Sequence, residues 1–476
     1  MSDHLIAVVK RECPTCQLIV PVLRQLAANR GHPLTIYTQD DPAFPADVAG
    51  VVADATLEHS YRLSIQIVPT LVAMRDGREV ARAVGWHRLE WETVSGAGRL
   101  GPTLPASQPG CGSLTDEPGM AERLAVRFGD VRFLSRRIEI TESTDPIEAC
   151  YERGWTDGLP VVPPTPERVL AMLGGTRRSP DAIVGAIPPD YAPCTVEKVA
   201  INAVLAGCKP EYLPVVLTAV EAALTPDFGL HGVLATTNFI GPVVMVNGPI
   251  ARAIGMNARG NAFGQGNRAN ATIGRALQLV VRNVGGGRPG DIDRATLGNP
   301  GKYTFCFAED EDDPAWESFA AERGFRPDAS TVTVFVGDGV APIVDEISRT
   351  PESLARSYAA CLRAAHHPKK VIDVAAFLVV TPEHARVFHD AGWSKARLKT
   401  ELEVLLQIPV ADLLQGVGGI AAGLPAEGQD PGGTLPKFKT GSLNIIRAGG
   451  GAGKFSAYIS GLGSITIGPV IKEITP

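Results

Sequence analysis

The sequence predicts an α/β protein in three parts: a small N-terminal α/β domain, a Gly/Pro-rich linker and a large C-terminal α/β domain. Three observations carry this reading. An apolar, strand-like run at 4–9 passes through Cys13-Pro14-Thr15-Cys16 into Leu18, Val22, Leu23 and Leu26 at helical spacing. Residues 95–119 are dense in Gly, Pro and Ser and carry neither a helical nor a strand period. From about residue 145, helical patterns alternate with Val-rich runs and Gly/Asn-rich loops. The predicted boundaries are 1–95, 96–135 and 136–476, consistent with roughly 100–200 residues per domain in a chain of 476.

In the first part, runs at 33–37 and 70–74 read as strands, and Asp76-Gly77 reads as a hairpin turn into a further strand at 79–84. In the last part, 195–205 reads as a helix with Thr195 as its N-cap, and 212–224, 353–365 and 394–406 read as further helices. The runs 243–246 and 331–336 read as buried strands, ending at Asn247-Gly248 and Gly337-Asp338-Gly339. No internal repeat is visible.

Composition excludes several function classes. A net charge of −6 with 45% hydrophobic and 20% charged residues is that of a folded chain and disfavours nucleic acid, whose phosphates need clustered Lys and Arg. The start Met1-Ser2-Asp3-His4 lacks a secretory pattern, and no apolar run reaches the ~18 residues of a membrane helix, so the expected location is the cytoplasm and no membrane partner is expected. The eight cysteines are scattered through a long chain, which predicts mostly reduced, buried thiols, and apart from 13/16 none has zinc-site spacing. No metal site is predicted.

Cys13 and Cys16 fall where a strand gives way to a helix, so the helix N-terminus can stabilise a thiolate on Cys13, the more exposed of the two. Cys16, one turn further, can then attack a mixed disulfide on Cys13. With Val68-Pro69-Thr70 just ahead of a strand, residues 1–95 resemble the thioredoxin superfamily, in which a cis-proline loop faces the cysteine pair; the resemblance implies a thioredoxin fold, with Pro69 as that proline.

Gly110-Cys111-Gly112-Ser113-Leu114-Thr115-Asp116 resembles the signature of a family of small proteins named for a Sec-Gly-Ser-Cys motif, with Cys111 at the selenocysteine position and Leu114 where the motif has its final cysteine. Flanking glycines on a flexible linker leave Cys111 free to approach a substrate. An oxidised Cys111 has no local resolving partner, and Cys13 is the obvious supplier. The alternative is a bystander thiol in an exposed linker.

The block Cys-Tyr-Glu-Arg-Gly-Trp-Thr-Asp-Gly-Leu-Pro-Val-Val-Pro-Pro-Thr at 150–165, with Ala-Gly-Cys-Lys-Pro-Glu-Tyr at 206–212, resembles an uncharacterised bacterial family associated with the Sec-Gly-Ser-Cys proteins; this resemblance covers most of 136–476 and implies no reaction. Thr156 and Asp157 sit in a turn beside rigid prolines, which suits either a preorganised polar site, with Asp157 as base or cation ligand, or a demanding structural turn. Cys194, near a predicted helix start, reads either as a thiol with a lowered pKa or as a packed cysteine, and Cys208 and Glu197 are further accessory candidates. The polar stretch 257–290 contains Asn267, Arg268, Asn270 and Arg275 among glycines before a helix, which suits an anionic ligand. A dinucleotide loop at 264–269 lacks the preceding strand, and a phosphate loop at 449–456 has Phe455 where a hydroxyl is needed. Residues 309–313 read as a solvated acidic loop or a weak cation site, and His366 and His367 as caps for a helix end.

Together these predict a thiol-dependent oxidoreductase. The large domain holds a small, anionic substrate, Cys111 attacks it, and the Cys13/Cys16 pair regenerates Cys111 with electrons from an external thiol reductant or a thioredoxin-reductase system. A non-redox cysteine lyase or hydrolase, including a carbon–metal lyase, and a thioredoxin-fold adaptor are the alternatives. Partners are a small molecule and a reductase or thiol donor, with homo-oligomerisation left open.

Overall fold

Residues 4–29, 31, 33–313, 315–463 and 468–475 are described by a computed structural model, in which the chain is mixed α/β and divides into two compact units, 1–132 and 133–476. In the first unit, the apolar run 4–9 forms β1 (His4–Val9), and Pro14 at the first position of α1 (Pro14–Leu18) starts the helix where a missing N–H costs nothing. After α2 (Val20–Ala27), β2 (Leu34–Thr38) and β3 (Val51–Ala53) extend the sheet in parallel. Then come α3 (Glu58–Arg62), the two-residue β4 (Ile67–Val68), and the hairpin of β5 (Thr70–Arg75) and β6 (Arg78–Val84) turning at Asp76-Gly77. The sheet order is β3-β2-β1-β5-β6, with β5 antiparallel to β1. Its core includes Ala7, Val8, Leu23, Leu71 and Trp91, and Trp86 packs edge-on against Trp91 at 5.5 Å.

Residues 96–132 of the segment predicted as a linker belong to this unit. After β7 (Trp86–His87) and α4 (Arg88–Ser95), the chain forms β8 (Ser107–Gln108), paired with β7, and β9 (Cys111–Gly112), paired with β4, before α5 (Met120–Phe128). Its glycine content serves close approach rather than flexibility: a Cβ at Gly110 would stand 2.4 Å from Ile67 Cγ2 and 2.7 Å from the Val68 carbonyl oxygen. Two-residue ladders leave no periodicity to read.

The second unit is built of two four-stranded sheets. One has the order Cys306–Ala308, Gly241–Asn247, Thr331–Gly337, Val470–Glu473, and the other Val340–Val344, Phe455–Leu462, Val374–Val380, Leu443–Arg447. Strand alternation explains the layers. Val243, Met245, Phe335, Phe377 and Val379 turn inward between the sheets, with Phe335 stacked on Phe377 at 3.9 Å. On the opposite faces, Val244, Val246 and Val334 meet helices Val196–Ala206, Leu213–Ala223 and Arg268–Asn283, while Leu378 and Val380 meet Pro351–Leu362 and Lys395–Leu405. The result is helix, sheet, sheet, helix.

Two expectations fail here. The acidic run 309–313 is not a solvated loop: Glu309 is buried and accepts from Asn247 Nδ2 at 2.7 Å and Phe319 N at 2.8 Å, and Asp310 and Asp313 are held by Arg447. Carbonyls beyond helix Pro351–Leu362 are capped by the buried Lys437, whose Nζ donates to Ala365, His367 and Lys370, while His366 Nε2 faces the Gly461 carbonyl at 3.0 Å. Among the described residues, no single helix is long and apolar enough to cross a membrane.

Candidate functional site

β1 delivers Cys13 to the start of α1, and the backbone there aims N–H groups at sulfur: Cys16 N donates to Cys13 Sγ at 3.4 Å and Lys10 N to Cys16 Sγ at 3.5 Å. From the other side, the β4/β9 ladder places Val68 opposite Cys111, and the Val68–Pro69 bond is cis. The Cys111 sulfur lies 2.7 Å from that of Cys13, beyond the ~2.05 Å of a disulfide and in hydrogen-bonding contact. Either thiol can donate while both are neutral, and once Cys13 ionises only Cys111 can.

The three sulfurs are electrostatically unequal. Hydrogen bonding from the Cys16 side chain, then from Cys111 and the backbone, outweighs burial and brings Cys13 down to about 5. Burial pushes Cys16 far up, reinforced by the adjacent Cys13, and burial followed by the Cys13 contact raises Cys111. The other five cysteines are all raised by burial, Cys194 and Cys208 to about 12. Cys13 is the one thiol poised as a nucleophile at neutral pH.

Cys13 is fully buried, against the expectation that it would be the exposed member of the pair. The reason is residues 109–115, which lie across it. Thr15 Oγ1, between the two cysteines, donates to the Pro109 carbonyl at 2.7 Å, and Ser113 N donates to the Gln66 carbonyl at 2.8 Å. Sequence reasoning missed the network beneath. Gln39, buried at the end of β2, donates from Nε2 to Ser60 Oγ at 2.9 Å and Ser113 Oγ at 2.7 Å, and its Oε1 accepts from Leu114 N at 3.1 Å. Asp54 completes the chain by accepting from Ser60 N and Oγ at 2.8 and 2.7 Å. The only signal was a polar pair, Thr38-Gln39, closing an apolar strand.

No family model matches the chain.

In the second unit, the predicted substrate-binding residues are engaged internally. Arg275 forks onto Asp157, with Nε and Nη2 each 2.7 Å from a carboxylate oxygen, and its Nη2 reaches the Pro160 carbonyl at 3.0 Å. Asp157 is therefore not a free base. Burial would raise its carboxyl, but the Arg275 hydrogen bonds and charge outweigh it and hold it below its ordinary range. Thr156 Oγ1 accepts from Gly158 N at 3.1 Å within the turn. Asn267 caps helix Arg268–Asn283, accepting from Asn270 N at 3.0 Å. The buried Asn270 ties down the preceding loop through Asn257 and Ala262, and the exposed Arg268 donates to the Gly207 carbonyl at 2.9 Å.

The accessory candidates are likewise engaged within the fold. Of the two readings of Cys194, the packed one describes it: it lies in the core, and burial raises it to about 12. Cys208 Sγ donates to the Thr272 carbonyl at 3.3 Å, and buried Glu197 accepts from Leu134 N and Ser135 N at 2.9 and 2.8 Å. The two glycine-rich loops do meet, around a cavity of about 240 Å³ walled by Asn261, Phe263, Gly264, Thr381, Gly449 and Phe455 among others; Asn267, Arg268, Asn270 and Arg275 are not part of it.

Proposed function

We propose that the protein is a thiol–disulfide oxidoreductase in which Cys111 accepts the oxidising equivalent of a small substrate and the Cys13/Cys16 pair removes it. The observation that carries this reading is the 2.7 Å approach of Cys111 to Cys13, the one cysteine with a strongly lowered pKa. The order of the central strands, β2-β1-β5-β6, together with a cysteine pair at a helix start whose Cys13 meets the Val68 carbonyl just before the cis Pro69, supports a thioredoxin-like fold for the first unit.

When Cys111 sulfur carries a leaving group, a thiolate in a mixed disulfide or hydroxide in a sulfenic acid, the Cys13 thiolate attacks that sulfur. A Cys13–Cys111 disulfide forms and the leaving group departs, taking up a proton. Cys13 is then no longer charged, so its contribution to the raised pKa of Cys16 is removed, while burial, the larger cause, remains. Cys16 attacks Cys13 sulfur while its proton passes to the departing Cys111 sulfur, leaving a Cys13–Cys16 disulfide and a Cys111 thiol. A dithiol reductant returns two electrons to that disulfide. The relay needs no swinging arm, because contact is made in the resting fold and the entropy of approach is already lost.

A Cys16→Ser variant removes the resolving step. On treatment with a small disulfide it accumulates the Cys13–Cys111 cross-link, read by non-reducing peptide mass mapping. Turnover in that variant without the cross-link defeats the relay.

A further inference from the structure

Beside Cys13, the backbone edge of β4 is the place where an extended peptide could dock by strand addition and present a sulfur to the thiolate. That place is taken. β9 pairs antiparallel with β4, Val68 opposite Cys111, and Ser113 N extends the pairing to the Gln66 carbonyl. We infer that residues 109–115 act as a built-in substrate strand, which reserves Cys13 for Cys111, excludes protein disulfides from the redox pair, and admits only small thiol-reactive molecules that reach Cys111. This rests on the relay proposed above.

The strand is held at both ends as well as along the ladder. Thr15 binds Pro109 ahead of Cys111, and Gln39 binds Ser113 and Leu114 behind it. Both anchors lie in the unit that carries the cysteine pair, so competition with an outside peptide is intramolecular. A tethered strand competes at an effective concentration on the order of millimolar, so a micromolar protein substrate loses by about a thousandfold. Cys111 is half-buried while Cys13 and Cys16 are fully buried, so a small molecule meets Cys111 first. The same cover screens the Cys13–Cys16 disulfide from a protein reductant, which makes a small dithiol the fitting electron donor.

The fold supplies a wedge to test this. Gly110→Val places a side chain where Ile67 Cγ2 and the Val68 carbonyl already stand, so the ladder cannot close. Thr15→Val, nearly isosteric, removes one anchor with little risk to folding. Insulin disulfide reduction driven by dithiothreitol is followed by turbidity in wild type, Gly110→Val, Thr15→Val and Cys13→Ser, with tryptophan near-UV signals reporting that the unit is folded. Wild type should run close to the uncatalysed rate and Cys13→Ser likewise. The wedge should gain at least about tenfold and Thr15→Val a smaller factor, as expected when a tethered competitor is displaced. Wild type reducing insulin as fast as the wedge overturns the inference, as does no gain in either folded variant. The cross-link in Cys16→Ser separates the two ideas: a cross-link without an insulin gain leaves the relay standing and removes the built-in strand, and an insulin gain without a cross-link does the reverse.

Discussion

Cys111 stands 2.7 Å from Cys13, and the two thiols hold protons very unequally. Cys13 is drawn down to about 5 by hydrogen bonds from Cys16 and Cys111, while Cys111 is raised by burial and by donating to it. This contact sets how the pair titrates.

Alkylation of the reduced protein should therefore label Cys13 with half-maximal rate near pH 5, although its burial makes the absolute rate low. Cys111→Ala deletes one donor to the thiolate. A hydrogen bond to a charged group contributes about 1.5–3 kcal/mol, so the midpoint should rise by about 1–2 pH units. The sign extends to stability. A thiol whose folded pKa lies below its unfolded value of 9.0 stabilises the fold fully above pH 9 and loses that contribution as pH falls through about 5. A wild-type labelling midpoint above pH 8 would contradict the assignment of Cys13 as nucleophile.

The thiols of the second unit should be silent. Burial pushes Cys194 and Cys208 to about 12, so at pH 8 the native protein should leave both unmodified, and mass spectrometry should find them labelled only after denaturation. Rapid native labelling of Cys194 would restore it as a candidate nucleophile.

How much of this was legible follows from which patterns are local. β1, the Asp76-Gly77 hairpin and helix Val196–Ala206 with its Thr195 cap were readable because apolar period and turn chemistry lie within a few residues. Residues 96–132 were not, because Gly110 and Cys111 owe their place to a two-residue ladder with a segment over forty positions away, and Gly/Pro/Ser content reads as a linker whether or not such a partner exists. The reading of Arg275 has the same root: an arginine near a glycine-rich loop that runs into a helix suggests an anion, and the carboxylate it meets in the fold is Asp157 of the same chain.

Lys437 offers a test of the second unit that is independent of redox chemistry. Its ammonium satisfies three carbonyls at 2.8–2.9 Å in a fully buried position. Lys437→Met leaves those acceptors without a partner at about 1–3 kcal/mol each, so denaturant unfolding should show a loss of at least about 3 kcal/mol at pH 7. Burial, helped by Lys370, lowers the lysine to about 8 from 10.5. The unfolded chain thus binds the proton more readily, and the gap between wild type and Lys437→Met should widen as pH rises from 8 to 10.5. A gap that narrows over that interval would mean that the buried amine is held charged.

Arg275→Ala should act on stability and not on ligand binding. The Arg275–Asp157 pair is mostly buried, with side chains 14% and 11% exposed, so removing the guanidinium strands a carboxylate inside the fold. Breaking such a pair costs about 3–5 kcal/mol, and the same loop also loses the contacts to Leu159 and Pro160. Asp157→Asn in the Arg275→Ala background removes the stranded charge and should recover part of the loss. The pH dependence distinguishes this pair from simple packing. Asp157 has a folded pKa below its unfolded value of 3.8, so the pair's contribution is full above that value and is lost as pH falls through the folded one. The stability difference between wild type and Arg275→Ala should be largest near neutral pH and shrink as pH falls, first as the stranded carboxylate of the variant, raised by burial, takes up a proton, and then as Asp157 of wild type does below about pH 4. A variant that unfolds like wild type yet loses affinity for a small anion would return Arg275 to the binding role that its sequence setting suggested.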